Sequence, residues 1–401
     1  MATMTPEESI ALIKSNLAEV LNPEIIDDVI LTQKRPLKVY WGTAPTGKPH
    51  CGYFVPMIKI AELLAAGCEV KILLADVHGW LETAGDASFD LIQARAKYYE
   101  KVIKSMLTAI GVDITRLIFV LGSSYQASEA YRWDQWKFER IVKVPAAIKA
   151  GSEVVKNAAE PFLGGLLYPL MQSLDEQYLD VDVQFGGLDQ RKIFTFALEN
   201  LPKLGYKARA HLMNAMVPGL GEAVKMSASD AESKIDLLDS PDAVEKKLRK
   251  AKCAPKEAAG NGVVAFVEHV LMRALALKKD GSKFTVSRKD QEPLIYENAE
   301  NLKEDYIADI ITPQTLKAAL TTHLNALLAP IRADYELSQE WKDAEAIGYP
   351  TAVKVKKVKK DKGDPEKRAA AAAAAAAKKA AAEGGADEAL ELEKLQVSAP
   401  A

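Results

Sequence analysis

Cysteine and histidine are scarce in this chain, which has three cysteines and five histidines among its 401 residues. The cysteines lie at positions 51, 68 and 253, an odd number without a C-x-x-C pair, so neither a disulfide framework nor a zinc-binding cysteine pair is indicated. The histidines lack a metal-ligand spacing such as H-x-x-x-H. The sequence therefore predicts a reducing, cytoplasmic environment and no metal site built from protein side chains.

Long apolar stretches are also absent. No run of eighteen apolar residues occurs, which argues against a transmembrane span, and we expect no membrane association. The N-terminus does not look like a signal peptide, because Thr5, Pro6 and Glu8 predict the start of a helix with a capping box. A hydrophobic content of 48%, a charged content of 27% and a net charge of −3 are typical of soluble globular proteins.

A glycine-containing turn at residues 42–52 lies between a predicted buried strand at 37–42 and a predicted helix at 54–66. Such a turn suits an anion, because free backbone N–H groups and the positive end of the helix dipole face it. Gly42 to Lys48 also fits the G-x-x-x-x-G-K phosphate loop of many nucleotidases. That motif requires Ser or Thr next, whereas this chain has Pro49, so we reject it.

A second segment suited to phosphate, Lys225-Met226-Ser227-Ala228-Ser229, supplies one ammonium group and two hydroxyls. Two such segments, far apart in sequence, predict a nucleoside triphosphate bound between them. We expect His50 to donate to the phosphate chain with Lys48 assisting, and Lys225, Ser227 and Ser229 to contact the phosphates from the second segment.

Residues 163–178 predict a helix in which Tyr168, Gln172 and Asp175 share one narrow stripe, since they are spaced i, i+4 and i+7. A phenol, an amide and a carboxylate on an otherwise apolar helix suit a small polar ligand. A solvated helix face is the alternative, and the lack of Lys and Glu in the stripe disfavours it.

The stretch Val181 to Gln190 predicts a strand that ends in the turn Gly186-Gly187 and presents Asp189 and Gln190. Ligands of open α/β sheets bind at the carboxyl ends of strands. A carboxylate at this position can accept hydrogen bonds from both hydroxyls of a ribose.

Together these motifs resemble those of the class I tyrosyl-tRNA synthetases of the archaeal and eukaryotic cytosolic branch, in a fungal-like form. His50-Cys51-Gly52-Tyr53 is similar to the His-Ile-Gly-His motif of class I enzymes, and Lys225 to Ser229 to their Lys-Met-Ser-Lys-Ser loop. The similarity spans roughly residues 5 to 345.

The resemblance implies a set of ligands and residue roles. The substrates would be L-tyrosine, ATP carried with Mg²⁺, and tRNA(Tyr), and the protein would be a homodimer. The catalytic residues would be His50, Lys48, Lys225, Ser227 and Ser229. The tyrosine-binding residues would be Tyr40, Tyr168, Gln172, Asp175 and Gln190, with Tyr40 and Asp175 on the substrate phenol. The ATP-binding residues would be Pro45, Thr46, Gly47, His50, Gly52, Gly187, Asp189, Lys225 and Met226.

Two other functions remain open from the sequence. Tryptophanyl-tRNA synthetases share the fold and often the Lys-Met-Ser-Ala-Ser loop, although the Tyr40 and Asp175 pair favours tyrosine. A noncatalytic RNA-binding paralogue on the same fold is the second alternative, and the presence of His50, Asp189, Gln190 and Lys225 disfavours it.

Strands predicted at 37–42, 69–75, 117–121, 181–185 and 208–214 alternate with helices, which indicates a doubly wound parallel sheet of the Rossmann-like α/β class. We predict a catalytic domain at 1–232, with a dimer-forming connecting segment at about 123–160. By resemblance, an all-α anticodon-binding domain would follow at 233–350. Trp133, Trp136 and Phe138, within the connecting segment, could belong to the core or to an interface.

The C-terminal part of the chain departs from the resemblance in two places. The anticodon-binding pattern is altered at 280–284 and 312–315, and we offer Phe284, Arg288 and Arg273 as substitute contacts. Residues 351–401 form a tail with six lysines between 354 and 362 followed by an alanine-rich run, so we expect disorder. The tail is either a solubilising segment or an arm that grips RNA.

Overall fold

A six-stranded sheet forms the centre of the part of the chain that the computed structural model describes, namely residues 4–83, 87–155, 161–215, 234–278 and 280–350. Its strands are β1 (Glu19–Leu21), β2 (Lys38–Thr43), β3 (Glu69–Leu74), β4 (Leu117–Leu121), β5 (Val183–Gly187) and β6 (Ala210–Asn214). Their spatial order is β1-β6-β5-β2-β3-β4, and every neighbouring pair is parallel except β1 with β6. The chain runs from β2 outward through β3 to β4 and then returns to the other side of β2 for β5 and β6. The switch point of this doubly wound sheet therefore lies between β2 and β5.

Helices cover the sheet and connect its strands. They are α1 (Pro6–Lys14), α2 (Pro23–Asp27), α3 (Phe54–Ala65), α4 (Asp76–Glu82), α5 (Phe89–Ala109), α6 (Ser123–Gln126), α7 (Glu129–Ile141), α8 (Val144–Gly151), α9 (Leu163–Tyr178) and α10 (Arg191–Asn200). The predicted capping box is confirmed, because the Thr5 hydroxyl accepts from the Glu8 N–H and the Glu8 carboxylate accepts from the Thr5 N–H. Strong apolar patterning makes α3 the most buried helix against the sheet, with Phe54, Ile58 and Leu63 fully enclosed.

The five predicted strands are all present, with ends that differ by up to two residues from the prediction. The strand predicted at 117–121 and the helix predicted at 163–178 have the predicted bounds. Strand β1 was not predicted, because three half-buried residues give no usable alternation. It pairs with β6 and closes one edge of the sheet.

Between residues 241 and 350 the described chain is mainly helical, as predicted. The helices are α11 (Pro241–Lys250), α12 (Gly262–Phe266), α13 (Arg273–Leu277), α14 (Ala299–Ile307), α15 (Pro313–Leu337) and α16 (Gln339–Gly348). The expectation of an all-α region is corrected by an antiparallel hairpin of β7 (Phe284–Arg288) and β8 (Gln291–Tyr296). No helix of the described ranges is long and apolar enough to cross a membrane.

One hydrophobic cluster joins the sheet to this helical region. It contains Val39 and Ile72 of the sheet together with Leu324 and Trp341 of α15 and α16. The domain boundary at 232/233 falls in a stretch that the structure does not describe and stays a prediction. The tail at 351–401 likewise lies outside the described residues.

Candidate active site

A cavity of about 460 Å³ lies at the switch point of the sheet, beside the carboxyl ends of β2 and β5. Most of the predicted site residues line it. They are Tyr40, Thr46, His50, Gly52, Tyr168, Gln172, Asp175, Gly187, Asp189 and Gln190. Residues from distant parts of the sequence therefore meet where a ligand of an open α/β sheet is expected.

Asp175 is fully buried, and its two carboxylate oxygens have different surroundings. Oδ1 accepts hydrogen bonds from Tyr125 Oη at 2.7 Å, Gln126 Nε2 at 2.8 Å and Tyr131 Oη at 3.2 Å. Oδ2 has no hydrogen-bond partner within the described part of the chain, and its nearest basic atom is His78 Nε2 at 3.8 Å. Burial raises the pKa of Asp175 to about 7. A buried acceptor without a donor is costly, so Oδ2 marks a place where a ligand can donate.

Tyr40 extends from the middle of β2 and is 1% exposed. Its hydroxyl donates a long hydrogen bond of 3.3 Å to the Gln172 carbonyl, which leaves the phenol oxygen able to accept as well. Burial raises the pKa of Tyr40 well above its ordinary value, so the phenol stays protonated.

The polar stripe of α9 faces the cavity, and the alternative of a solvated helix face is wrong. Tyr168 and Gln172 are each 8% exposed, and both line the cavity with Asp175. The Tyr168 ring lies 4.6 Å from the His78 ring in an edge-on arrangement. Gln172 Nε2 donates to Gln190 Oε1 at 2.8 Å, which joins the stripe to the turn after β5.

Two glycines at the end of β5 leave room for the polar residues that follow them. A Cβ atom on Gly187 would lie 2.5 Å from Asp189 Oδ1, and one on Gly186 would lie 2.8 Å from both Gln190 Oε1 and the Phe194 ring. Side chains at these positions would displace Asp189 and Gln190. The double glycine therefore allows both residues to approach the cavity.

His50 begins the 3₁₀ turn Cys51–Tyr53 that leads into α3. Its Nδ1 accepts from the Gly52 N–H at 3.1 Å, so the proton of the neutral ring is on Nε2. Burial and the charge of Lys234 lower the pKa of His50 to about 4, and the ring is neutral at pH 7. An antiparallel bridge to Asp236 and a hydrogen bond from the Cys51 N–H to the Ile235 carbonyl fix this turn in place.

Lys48 does not line the cavity, and its contact with phosphate stays a prediction. The ammonium group instead forms an ion pair with Glu345 of α16 and lies 5.5 Å from the Tyr349 ring.

Two other predicted site residues, Pro45 and Gly47, also lie outside the lining of the cavity. Pro45 packs against α4, where a Cβ atom on Gly79 would lie 3.0 Å from the proline Cδ. The Gly47 carbonyl accepts from the Tyr99 hydroxyl.

Lys225, Met226, Ser227 and Ser229 lie outside the described residues, so the structure does not place the second phosphate segment. The described chain ends at Ala215 before it and resumes at Lys234.

Two lining residues, His78 and Asn214, escaped the sequence prediction although they follow a common rule. His78 lies on α4, the helix that follows β3, and Asn214 ends β6. The carboxyl ends of parallel strands meet at one edge, and this rule could have identified them. Asn214 is 4% exposed and lines the cavity, and neither of its side-chain polar atoms has a hydrogen-bond partner among the described residues.

Asp76, which begins α4, joins the helices at the edge of the sheet where the carboxyl ends of the strands meet. Its carboxylate is fully buried and accepts from the Ser123 N–H at 2.8 Å, the Ser123 hydroxyl at 2.5 Å and Gln93 Nε2 at 2.5 Å. The start of α6 is thereby joined to α4 and α5. Because Gln126 of α6 donates to Asp175, Asp76 positions the cavity indirectly.

The three residues suggested for anticodon contact are occupied within the protein. Phe284 is 1% exposed and packs on the His323 ring at 4.7 Å, so it cannot stack on a base. Arg273 donates to Glu62 at 2.6 Å. Arg288 donates to the Glu292 carbonyl at 2.9 Å. The suggestion of Phe284 is therefore wrong, and the two arginines have structural partners.

The doubly wound sheet, the His50 turn and the polar cavity at the switch point are the architecture of a class I aminoacyl-tRNA synthetase. The sequence model of the family described as tRNA synthetases class I (W and Y) matches residues 32–329, and this chain belongs to that family.

Two relatives illustrate the similarity in sequence. The chain is 50% identical over 367 residues to the cytoplasmic tyrosine–tRNA ligase of Saccharomyces cerevisiae, covering 90% of this chain and 93% of the relative. It is 50% identical to the cytoplasmic tyrosine–tRNA ligase of Xenopus tropicalis, covering 89% of this chain but 66% of the longer frog protein.

The fold is similar to those of solved structures as well. Tyrosyl-tRNA synthetase from Archaeoglobus fulgidus, complexed with L-tyrosine, superposes with a TM-score of 0.75 at 35% identity, covering 82% of this chain and 99% of that structure. Tryptophanyl-tRNA synthetase from Giardia lamblia gives a TM-score of 0.61 at 19% identity, covering 86% and 89%. The second comparison shows a shared fold only.

Proposed function

We propose that this chain is a tyrosine–tRNA ligase of the eukaryotic cytoplasmic type. It activates L-tyrosine with ATP to tyrosyl-adenylate and pyrophosphate, and then transfers the tyrosyl group to the terminal ribose of tRNA(Tyr). The observation that carries the proposal is Asp175 Oδ2, a buried carboxylate oxygen of a cavity-lining residue that has no hydrogen-bond donor among the described residues. The chain's membership of the class I synthetase family and its 50% identity to a relative named tyrosine–tRNA ligase support the same conclusion.

The substrate phenol would donate to Asp175 Oδ2 and accept from Tyr40. Burial keeps Tyr40 protonated. To donate to the substrate, its hydroxyl would have to give up only the long hydrogen bond to the Gln172 carbonyl. Phenylalanine would leave Oδ2 without a donor, with the cost of an unsatisfied buried group. An indole N–H could also donate, but it has no oxygen to accept from Tyr40. Tyr168, Gln172 and Gln190 would hold the ammonium and carboxylate groups of the amino acid.

ATP would lie between the His50 turn and the end of β5. His50 Nε2–H is suited to donate to the phosphates, and Asp189 to accept from the ribose hydroxyls.

The nucleoside would be surrounded by four further residues that line the cavity, Gly52, Val55, Gly187 and Asn214. Thr46 also lines it, while Pro45 and Gly47 would support the turn from behind. Mg²⁺ would arrive with ATP and be held mainly by phosphate oxygens.

The first step, formation of tyrosyl-adenylate, needs no general base. The tyrosine carboxylate is ionised at neutral pH and attacks the α-phosphorus of ATP, while the bond to the pyrophosphate oxygen breaks. Catalysis then depends on alignment and on donors to the charge that develops on the phosphoryl and pyrophosphate oxygens. His50 is one such donor, and Lys225, Ser227 and Ser229, with Met226 beside the nucleotide, are proposed for the pyrophosphate side.

A homodimer is supported by an exposed apolar patch on the predicted connecting segment. Trp133 and Trp136 on α7 are 53% and 49% exposed, and their rings lie 5.0 Å apart. Val144 and Ile148 on α8 are exposed as well. Phe138 is instead fully buried against Phe196 and belongs to the core. Large exposed apolar patches commonly mark interfaces, and a second copy of the chain is the proposed occupant.

Pyrophosphate exchange with purified full-length protein tests the proposal. We expect tyrosine to stimulate ATP–pyrophosphate exchange strongly, and tryptophan and phenylalanine to have little effect. Stimulation by tryptophan in place of tyrosine would assign the protein to the other branch of its family. Absence of exchange with every amino acid would favour a noncatalytic RNA-binding role.

A further inference from the structure

The glycine-containing turn at residues 42–52 is called the phosphate turn below. Lys48 belongs to it, but its side chain points toward α16 and not into the cavity. Its ammonium group donates to Glu345 Oε1, and both side chains are partly buried, with 32% and 19% of their surface exposed. The two residues are 297 positions apart in the sequence. A lysine bound in this way is not available to the phosphates in the conformation described.

Glu345 is held from its other side as well. The Tyr335 hydroxyl at the end of α15 donates to Oε2, so both carboxylate oxygens have a partner. This bond, together with burial, raises the pKa of Tyr335 to about 12. The carboxylate is therefore a fixed anchor on α16.

Two further contacts fasten the phosphate turn to the same surface. The Gly47 carbonyl accepts from the Tyr99 hydroxyl of α5, and the Lys48 ammonium lies near the Tyr349 ring. Tyr349 is itself placed by the Arg95 guanidinium 5.0 Å from its ring, and Arg95 Nε donates to the Gly348 carbonyl at 2.8 Å. The turn is thus connected to α5 and α16, which pack against each other.

We propose that Lys48 and Glu345 form a latch that positions the phosphate turn, so that α16 sets the affinity of the protein for ATP. Lys48 then acts as a positioning residue and not as a phosphate ligand. The inference rests on the proposed function, since it assigns the turn to ATP. Its physical basis is that a turn with few internal hydrogen bonds keeps its backbone N–H groups aligned only if outside contacts restrain it.

The test compares three variants of the full-length protein: Lys48→Met, Glu345→Gln and the double variant. We expect either single change to raise KM for ATP in tyrosine-dependent exchange by about threefold to tenfold, and the double change to add little to the larger single effect. The dissociation constant for tyrosine should stay the same, because the latch does not touch the α9 stripe. The swap Lys48→Glu with Glu345→Lys should restore part of the ATP affinity.

Glu340→Gln is the matched control. It removes an ion pair of 2.6 Å between Lys101 and Glu340, which joins α5 to α16 away from the phosphate turn. This variant should keep the wild-type KM for ATP, and thermal unfolding of all variants would identify any that fail to fold.

Two results would overturn the latch. A loss of kcat by orders of magnitude in Lys48→Met with no change in Glu345→Gln would make Lys48 a phosphate ligand. Unchanged KM for ATP in both single variants would make the ion pair purely structural. These comparisons are made with a wild-type protein that catalyses tyrosine-dependent exchange. Absence of exchange in the wild type would contradict the proposed function, and this outcome is thereby distinguished from failure of the latch.

Discussion

The Tyr125 hydroxyl donates a 2.7 Å hydrogen bond to Asp175 Oδ1, and this contact separates the two oxygens of the carboxylate. With Gln126 and Tyr131 also on Oδ1, a proton taken up by Asp175 goes to Oδ2. The oxygen that faces the proposed substrate is therefore also the one that titrates.

Tyrosine affinity should depend on pH through Asp175. Its pKa of about 7, raised first by burial, means that the carboxylate becomes protonated as the pH falls below neutrality. A protonated Oδ2 cannot accept from the substrate phenol. If only the ionised form binds, the dissociation constant for tyrosine should rise about tenfold between pH 8 and pH 6. Isothermal titration calorimetry across this range measures the effect. His78 should not contribute, because burial lowers its pKa to about 4.

Asp175→Asn is the control for this prediction. Its tyrosine affinity should be weaker and independent of pH over the same range. Stability supplies a second check, since a carboxyl pKa that is higher in the folded protein than its ordinary 3.8 stabilises the fold at low pH. The free energy of unfolding should therefore fall as pH rises from about 4 to about 7, and the Asn variant should lack this component. A wild-type affinity that is flat from pH 6 to 8 contradicts the assignment.

His50→Ala should slow adenylate formation and leave tyrosine binding nearly unchanged. Losing one preorganised donor to a developing charge typically costs about 10²–10³ in rate. His50→Gln keeps a side-chain N–H donor and should recover part of the loss. Single-turnover adenylation beside equilibrium tyrosine binding separates the two effects. Because the His50 pKa is about 4, the wild-type rate should show no His50 titration between pH 6 and 8. Loss of tyrosine binding at an unchanged rate would refute the role.

Asn214 should contribute to the choice of adenine. Within the described part of the chain its buried amide nitrogen and oxygen have no hydrogen-bond partner. Adenine presents a donor beside an acceptor, which an Asn amide matches with two hydrogen bonds. Hypoxanthine, the base of inosine triphosphate (ITP), presents different groups at those positions. Asn214→Ala should reduce the preference for ATP over ITP in kcat/KM by about tenfold, the lower part of the range for one such pair.

Trp136→Glu should convert the proposed dimer to monomers, because a charge at the centre of an apolar interface is left without a partner. Sedimentation velocity at several protein concentrations measures the mass. Ile295→Glu is the matched control, since Ile295 is 61% exposed and lies on the hairpin outside the patch. Equal dimer content in both variants would place the interface elsewhere.

Deletion of residues 354–401 should leave tyrosine-dependent exchange unchanged and weaken the binding of tRNA(Tyr). Each lysine of the 354–362 block that neutralises a phosphate adds up to about 0.9 to the salt slope of the binding constant, so the truncated protein should show a shallower slope. A full-length variant with the six lysines replaced by glutamine should behave like the truncation. Identical affinities and slopes would leave the tail as a solubilising segment.

The sequence predicted the parts of the fold and cavity that depend on local pattern. The stripe of Tyr168, Gln172 and Asp175 was found because helical spacing fixes which side chains share a face. The strands were found because buried parallel strands are short apolar runs. Chain order then placed the turn after β5 at the same edge as the turn after β2.

What the sequence could not supply depends on contacts between distant residues. Lys48 lies in the phosphate turn, yet the direction of its side chain is decided by Glu345, which no local pattern connects to it. The sequence favours Phe284 as an anticodon contact, but this side chain is buried and packs on the His323 ring of α15. The two roles of the Asp175 oxygens depend on Tyr125 and Gln126, about fifty residues earlier in the chain.

The hydrophobic cluster shared by the sheet and the helices α15 and α16 has a consequence for how the protein unfolds. Val39 and Leu324 belong to one cluster, so neither region can lose its packing without exposing apolar surface on the other. Cooperative units in proteins follow such shared cores. Residues up to 350 should therefore melt in a single transition, and a fragment that ends at residue 232 would have an exposed apolar face and a tendency to aggregate.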